Sequence, residues 1–314
     1  MLQKIREFFA RLFGRAPPKP GHFVSGEKAA RGYLLYLPRG YHRWIRRPLV
    51  ILIHGCRQTP EELAAGTRIC AIADKNGWLV LMPRQSDKAN PWSCWNWFDV
   101  ATAAGRGEAA IVMAQLKAVR LTHRVHPRRI FVAGMSAGGG LAATLGVRYP
   151  EIFAGVFVHS GLAAGAASSP AAAISVMGRG ADTDPQEIGT VARAAAGGRA
   201  RVPLVAVHGE EDGVVAKVNA FQIVRQYLAL NGRASIAGDK RELPPADSES
   251  VIGLAEGREM HVADYRDGRD LIARLVRVPG LGHAWSGGDA AYAYNDASAP
   301  DSTAMLEALV EGRV

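Results

Sequence analysis

Long apolar runs are missing from this sequence of 314 residues. No stretch approaches the roughly 18 consecutive apolar residues of a transmembrane helix, which argues against a membrane-spanning chain. The N-terminal stretch MLQKIREFFARLFGRAPPKP is not a good export signal, because Arg6, Glu7 and Arg11 interrupt its apolar residues. We therefore expect a cytoplasmic protein, although export stays open.

Cysteine is scarce, with only three residues in the chain. Neither these cysteines nor the nine histidines fall at zinc-ligand spacings, so we expect no metal site and no cofactor. An odd number of cysteines leaves at least one thiol unpaired. Cys70 is expected on the core face of a helix, as a small apolar residue.

Acidic residues are rare only near the N-terminus. Residues 1–50 contain 11 Lys and Arg residues against Glu7 and Glu27, and the rest of the chain sums to zero charge. The body of the protein thus lacks the distributed basic face of a nucleic-acid groove, and we expect no nucleic-acid partner.

Residues 1–20 are expected to be a segment of their own. Apolar residues recur there at helical spacing among basic ones, and Pro17, Pro18 and Pro20 end the pattern. Peripheral membrane contact through residues 1–15 is one interpretation of this basic amphipathic helix; a docking helix and a poorly ordered tail are the others.

The remaining residues, 21–314, alternate short apolar runs with helical patterns and show no internal repeat. This alternation is typical of an α/β fold with a mostly parallel central sheet and helices on both faces. The expected strands are Gly32–Leu37, Leu49–His54, Leu79–Met82, Ile130–Gly134, Gly155–His159, Leu204–His208 and Arg274–Val278. The expected helices are Pro60–Asn76, Gly107–Arg124, Ala137–Tyr149, Lys217–Leu230 and Ser302–Glu311, the first preceded by a capping box from Thr59 to Glu62. The Ala- and Gly-rich tracts 163–173 and 194–200 are expected to be loop or lid.

The strongest functional motif is Gly134-Met135-Ser136-Ala137-Gly138. It follows the apolar run IFVA and precedes a helical pattern, which is the context of the nucleophile elbow in the α/β-hydrolase fold. Its glycines leave room where strand and helix approach most closely. We expect Ser136 to be a nucleophile and the Ala137 N–H to be one donor of an oxyanion hole.

A serine hydroxyl is a weak nucleophile, so a base must lie further along the chain. His283 is expected to be this base, because it follows the last expected strand through a glycine-rich loop. His261 is the alternative, although it reads as part of a hairpin strand.

The supporting acid should lie in the loop HGEEDGVV, after the expected strand Leu204–His208. Glu210, Glu211 and Asp212 all qualify by chemistry. Asp212 is favoured because Gly-Val-Val after it leads into a helix. Glu210 and Glu211 are more typical of a solvated acidic loop.

A second oxyanion donor should come from the loop after an early strand. The stretch His54-Gly55-Cys56-Arg57-Gln58 ends the run LVILIH, and the Cys56 N–H is the expected donor. His54 is more typical of a structural residue than of a catalytic one.

These residues together resemble the polyhydroxybutyrate depolymerase family of esterases, within the α/β-hydrolases. The shared features are LIHGCRQTPEELAAGTR, WSCWNWF, GMSAGGG, VHSGLAAGA, HGEEDGVV and PGLGHAWSGG, spread over roughly residues 22–312. From the length of the chain we expect one catalytic domain, over residues 21–314. The resemblance implies Asp212 at the acid position and Cys56 as the second oxyanion donor. It also places Cys56 and Cys94 at positions that the family commonly pairs, with two buried thiols as the alternative.

The resemblance implies ester substrates of short 3-hydroxyacids, as small molecules, oligomers or polymer, and it leaves the oligomeric state open. Feruloyl or acetyl esters of polysaccharides are the alternative substrates. Trp95, Trp97 and Trp285, together with Trp92, are candidates to line an apolar cleft, with core packing as the alternative. A serine peptidase, an acyltransferase and a catalytically silent binding protein are the competing functions.

Overall fold

The computed structural model describes residues 19–233 and 238–314. The amphipathic helix expected within residues 1–15 therefore lies outside the described residues. In the part of the chain that is described, no helix combines the length and the apolar content needed to cross a bilayer.

The centre of the fold is one sheet of ten strands within the described residues. Its strands are β1 (His22–Lys28), β2 (Arg31–Leu37), β3 (Arg47–Ile53), β4 (Leu79–Pro83), β5 (Val125–Met135), β6 (Gly155–His159), β7 (Leu204–Gly209), β8 (Ser248–Gly253), β9 (Glu259–Asp267) and β10 (Asp270–Val278). They are ordered β1-β2-β4-β3-β5-β6-β7-β10-β9-β8. The six central strands, from β4 to β10, run parallel, and antiparallel pairs extend both edges. A separate parallel pair joins β11 (Trp285–Ser286) to β12 (Asn295–Asp296).

Helices cover both faces of this sheet. They are α1 (Pro60–Thr67), α2 (Ile69–Asn76), α3 (Val100–Ala103), α4 (Gly107–Thr122), α5 (Ala137–Arg148), α6 (Pro170–Arg179), α7 (Pro185–Ala195), α8 (Val218–Leu230) and α9 (Ser302–Val310). Along β3, Leu49 and Ile51 join the apolar cluster under α4 to α8, whereas Val50 joins the one under α1, α2 and α9. A strand buried on both faces reads as a continuous apolar run, which is why LVILI was recognisable. The α/β fold expected from the sequence is confirmed.

The helix expected over Pro60–Asn76 is instead two helices, α1 and α2. Thr59 and Glu62 form the capping box as predicted, but Arg68 adopts a left-handed conformation with φ 56°. The Gly66 carbonyl accepts from Asp289 N at 2.8 Å, and the Thr67 carbonyl accepts from Thr303 Oγ1 at 2.6 Å. Partners more than two hundred residues away therefore take the carbonyls that a continuous helix would use.

The Ala- and Gly-rich tracts expected to be loop or lid lie partly in two helices, α6 and α7. Each helix begins with a proline at its first position after a capping side chain, Ser169 for α6 and Asp184 for α7. Gly189 packs so closely on α8 that an added Cβ would lie 2.2 Å from the Gln226 carbonyl oxygen. The small residues thus serve close helix packing.

Candidate active site

Ser136 lies at the sharp turn between β5 and α5, with φ 56° and ψ −124°. Non-glycine residues rarely adopt a positive φ, so this turn is strained. A Cβ on Gly134 would lie 2.3 Å from the Gly138 carbonyl oxygen, and one on Gly138 would lie 2.3 Å from the Ile53 oxygen. Both glycines are therefore required by the approach of strand, turn and helix.

Asp212 and His283 are joined across the carboxyl edge of the sheet. Asp212 follows β7, His283 follows β10, and the distance from His283 Nδ1 to Asp212 Oδ2 is 2.8 Å. The other carboxylate oxygen of Asp212 accepts from the backbone N–H groups of Val214 and Val215 at 3.0 and 2.8 Å. The carboxylate is thus fixed on one side by its own loop and presents the other side to the imidazole.

The charge state of Asp212 follows from these bonds. Burial alone would raise the pKa of its carboxyl, but the hydrogen bond and the charge of His283, with the Val215 N–H, hold the pKa at about 2. The carboxylate is therefore ionised near neutral pH and orients the imidazole with the Nδ1 proton toward itself.

The alternative candidates for the acid and the base have other hydrogen-bond partners. Glu210 binds Arg277, with 2.8 Å between Oε1 and Nη1, and Glu211 accepts from Gly280 N in the loop before His283. His261 lies on β9 and pairs with Glu259 at 2.9 Å. None of the three contacts the Asp212–His283 pair through a hydrogen bond in the described residues.

His159 links Ser136 to the loop that carries His283. Its carbonyl oxygen accepts from Ser136 N at 2.9 Å, and its Nε2 accepts from Ser286 N at 3.4 Å. Within the described residues, no hydrogen bond joins the Ser136 hydroxyl directly to His283. In free hydrolases such bonds are often long and tighten when substrate binds.

The loop after β3 lies against Ser136. An added Cβ on Gly55 would lie 3.3 Å from Ser136 Cβ, and Gly55 N donates to Gln58 Oε1 at 2.9 Å. In the described residues neither Cys56 N nor Ala137 N donates to a protein acceptor. Two backbone donors beside a serine suit an oxyanion, because they stabilise charge that develops on a carbonyl oxygen.

Cys56 and Cys94 form a disulfide, with 4.1 Å between their Cα atoms. The Cys56–Arg57 loop is joined a second time to the Trp-rich segment of residues 92–98, since Arg57 N donates to the Trp92 carbonyl at 2.7 Å. Cys70, on α2, is the remaining cysteine and is a free thiol.

His54 is buried and positions this loop. Its Nδ1 lies 2.7 Å from the Gly55 carbonyl oxygen, and its Nε2 accepts from Gln85 N at 3.2 Å. One nitrogen donates and the other accepts, which is the pattern of a neutral imidazole. Burial lowers the pKa of His54 to about 4, so it stays neutral.

Three of the four tryptophans that were candidates to line a cleft do not do so. Trp95 and Trp285 are fully buried, and Trp97 is 3% exposed. Trp95 packs near His54, Trp97 fills the space beside Gly140, and Trp285 stacks on His159 with ring centroids 5.2 Å apart. Their role is core packing behind the site, because no substrate can reach a ring without solvent access.

Trp92 differs from the other three, since it is 61% exposed on the disulfide-linked segment.

His159 and His208 are site residues that sequence reasoning missed. His208 Nε2 bonds to the Val215 carbonyl oxygen at 2.8 Å and lies 3.8 Å from Asp212 Oδ2. Both histidines end apolar strands and looked like ordinary core residues.

The parallel sheet and the strained turn that carries Ser136 define an α/β-hydrolase. Within that class, the family model described as esterase PHB depolymerase matches residues 31–247, more than half of the chain. The chain therefore belongs to the esterase PHB depolymerase family.

Individual relatives have several names. Poly(3-hydroxyalkanoate) depolymerase C of Paucimonas lemoignei is 30% identical over 188 residues, covering 59% of this chain and 45% of that protein. Feruloyl esterase B of Thermothelomyces thermophilus is 27% identical over 192 residues, covering 59% of this chain and 66% of that protein. The chain spans less than half the length of the Paucimonas depolymerase. An acetyl xylan esterase from Aspergillus awamori shares the fold with a TM-score of 0.67 and 19% identity, covering 84% of this chain and 94% of that one.

Proposed function

We propose that this protein is a serine esterase that hydrolyses short-chain carboxylic esters through an acyl-enzyme. The observation that carries this proposal is the hydrogen bond of 2.8 Å from His283 to Asp212. It lies at the same edge of the sheet as the strained turn at Ser136. Beside that turn, the N–H groups of Cys56 and Ala137 donate to no protein acceptor among the described residues.

The proposed reaction uses these groups in order. Ser136 Oγ attacks the ester carbonyl carbon while His283 Nε2 accepts the hydroxyl proton, and Asp212 stabilises the resulting imidazolium. The N–H groups of Cys56 and Ala137 hold the oxyanion. The imidazolium then protonates the leaving alcohol, and water repeats the cycle to release the acid.

Two relatives are named poly(3-hydroxyalkanoate) depolymerase C and poly(3-hydroxybutyrate) depolymerase, which supports esters of short 3-hydroxyalkanoates, as oligomers or small molecules, as the first candidate substrates of this protein. A feruloyl or acetyl ester on a polysaccharide is the second candidate, supported by a feruloyl esterase relative and by the fold of an acetyl xylan esterase. A hydrolysis panel of 3-hydroxybutyrate oligomers, p-nitrophenyl acetate and butyrate, feruloyl sugars and peptides separates these substrates from each other and from a peptidase.

A fluorophosphonate probe tests the nucleophile. It should label the wild-type protein at Ser136 and leave Ser136→Ala unlabelled, and turnover of p-nitrophenyl acetate should fall by up to about 10⁶-fold in that variant. Ser250→Ala, on the exposed strand β8, is the matched control and should keep both. If Ser136→Ala kept more than about a hundredth of the activity, the proposed nucleophile would be wrong.

A further inference from the structure

An exposed surface of basic and apolar side chains lies at the amino ends of the parallel strands β3 and β5, opposite to the carboxyl ends where Ser136 lies. We call it the Arg-Trp surface. Its residues come from two segments, 43–46 and 120–124: Arg43, Trp44, Ile45, Arg46, Arg120, Leu121 and Arg124. The two segments flank a groove of about 610 Å³.

The fold holds the two segments together. The first is the turn before β3, closed by a hydrogen bond of 3.0 Å from Ile45 N to the His42 carbonyl oxygen. The second is the last turn of α4 and the two residues before β5. Arg47 N donates to the Arg124 carbonyl at 2.9 Å, and Tyr41 Oη lies 2.8 Å from His123 Nδ1. Hydrogen bonds therefore hold the two segments of the surface next to each other.

Its positive charge is not neutralised by neighbouring carboxylates. Residues 41–47 and 117–128 contain no Asp or Glu. In the described part of the chain, the four arginines of the surface take part in none of the salt bridges. The Arg43 guanidinium lies 4.5 Å above the Trp44 ring, where it stays exposed. Such a surface attracts a partner with dense negative charge.

Its apolar side chains project into solvent between these cations. Trp44 is 61% exposed, Ile45 is 50% exposed and Leu121 is 79% exposed. A folded protein leaves few large apolar side chains grouped in this way unless something covers them. Tryptophan beside arginine is the combination that suits the interface of a bilayer, where the ring enters the headgroup layer and arginine binds lipid phosphates.

We propose that the Arg-Trp surface docks the protein on an anionic lipid bilayer. Both charge and apolar exposure fit that partner, whereas a nucleic acid would use the charge and leave Ile45 and Leu121 uncovered. Strand β5 begins at Val125, next to this surface, and ends at Met135, before Ser136. The neighbouring strand β3 places Arg47 opposite Val125 and Ile53 opposite Gly134, so the two sites lie roughly 25 Å apart, from about 3.3 Å per residue. A docked molecule would keep its catalytic edge open to the aqueous phase.

Flotation of the full chain with vesicles tests the proposal. Wild type should float with phosphatidylcholine vesicles that contain phosphatidylserine, should not float with pure phosphatidylcholine, and should dissociate at high salt. Arg43→Glu/Arg46→Glu should weaken partitioning by at least about 30-fold, the effect of losing two contacts of about 1 kcal/mol each. Trp44→Ser should weaken it as well.

The controls match each change. Arg106→Glu/Arg199→Glu makes the same change in net charge at two other exposed arginines, and Ile174→Ser removes an exposed apolar side chain elsewhere; both should bind like wild type. All variants should hydrolyse p-nitrophenyl acetate at the wild-type rate, which reports folding. Unchanged flotation of the Arg43/Arg46 variant would assign membrane contact to another part of the chain and overturn the proposal, as would binding to a DNA duplex without binding to vesicles.

Discussion

The conformation of Ser136 depends on residues that its own motif does not contain. Its backbone N–H is bound by the His159 carbonyl oxygen, and Gly55 packs directly against its Cβ. The motif itself was recognisable because the close approach of Gly134 and Gly138 to backbone oxygens admits only glycine. His159 was not, since a histidine that ends an apolar strand has no local sign of its tertiary partners.

Asp212→Asn should lower kcat/KM on p-nitrophenyl acetate by about 10⁴-fold. The asparagine oxygen would still accept from Val214 N and Val215 N, so its amide NH₂ would face His283 Nδ1. Nδ1 would then accept a hydrogen bond from this NH₂ group, and the ring proton would be on Nε2. The neutral imidazole would therefore be the wrong tautomer to deprotonate Ser136. Glu210→Gln, on the same loop, is the matched control and should stay within a few-fold. A loss below about 10-fold for Asp212→Asn would contradict the assigned acid.

Of the four tryptophans that were candidates to line a cleft, Trp92 is the exposed one, so we expect it to contact substrate. It is 61% exposed, and its carbonyl is bound by Arg57 N beside Cys56. Trp92→Ala should raise KM for feruloyl or oligomeric esters by up to about 10-fold, the effect of losing about 1.4 kcal/mol of aromatic contact, and should leave p-nitrophenyl acetate unchanged. Trp44→Ala removes an equally exposed tryptophan at the opposite edge. Equal KM changes in both variants would remove Trp92 from the binding site.

At the scale of elements, the sequence predicted a helix or strand correctly where the residues that define it are close together in the chain. The capping box at Thr59 and the long apolar run of β3 were predicted correctly, since each depends on neighbouring residues. The break at Arg68 was not, because the groups that end α1 come from Asp289 and Thr303. Helices α6 and α7 were not predicted, because their Ala- and Gly-rich sequence was interpreted as loop or lid. Both helices nevertheless begin with a capping residue followed by proline, which is a helix start signal.

The disulfide fastens two loops that belong to no helix or strand. Cys56 and Cys94 are 38 residues apart, so in the chain-entropy account the bridge stabilises the fold by about 4 kcal/mol. Cys94→Ser should lower the free energy of unfolding by an amount of this order, measured by urea denaturation. It should also lower kcat by up to about 100-fold, because the Cys56 N–H loses its anchor.

Reductant should reproduce the effects of Cys94→Ser in the wild type. Cys70→Ser is the matched control: burial raises the pKa of the Cys70 thiol to about 12, so this cysteine is unreactive and its replacement should change neither response. Full activity and stability of the wild type in reductant, with both thiols shown to be free, would mean that the loops are held without the bridge.

At the scale of the whole molecule, the parallel sheet separates two surfaces. The carboxyl ends of β5, β7 and β10 carry Ser136, Asp212 and the loop to His283, as expected for open parallel sheets. The opposite ends carry the Arg-Trp surface. The position of the proposed catalytic residues follows from strand order and was predictable. The basic surface was not predictable, because its two segments are about seventy residues apart in the chain and only the fold brings them together.

Buried histidines should make the stability of the whole molecule dependent on pH. Burial lowers the pKa of His54 to about 4 and that of His159 to about 3, and it also lowers the pKa of His208. In the unfolded chain these imidazoles return to about 6.5. Between these values the unfolded state binds more protons than the folded state, so the free energy of unfolding rises with pH.

The free energy of unfolding should therefore fall as the pH is lowered from about 6.5 toward 4, by up to about 1.4 kcal/mol per pH unit for each of His54 and His159. The lowered pKa of His208 contributes with the same sign. Asp212 acts in a separate range, since its lowered pKa withdraws stability only below its unfolded value of 3.8. Urea denaturation at pH values between about 7 and 5 measures the slope. His54→Gln should reduce the slope, whereas His42→Asn, at an exposed position, should leave it unchanged. A free energy of unfolding that stays constant across this range would show that these imidazoles are not held neutral by the fold.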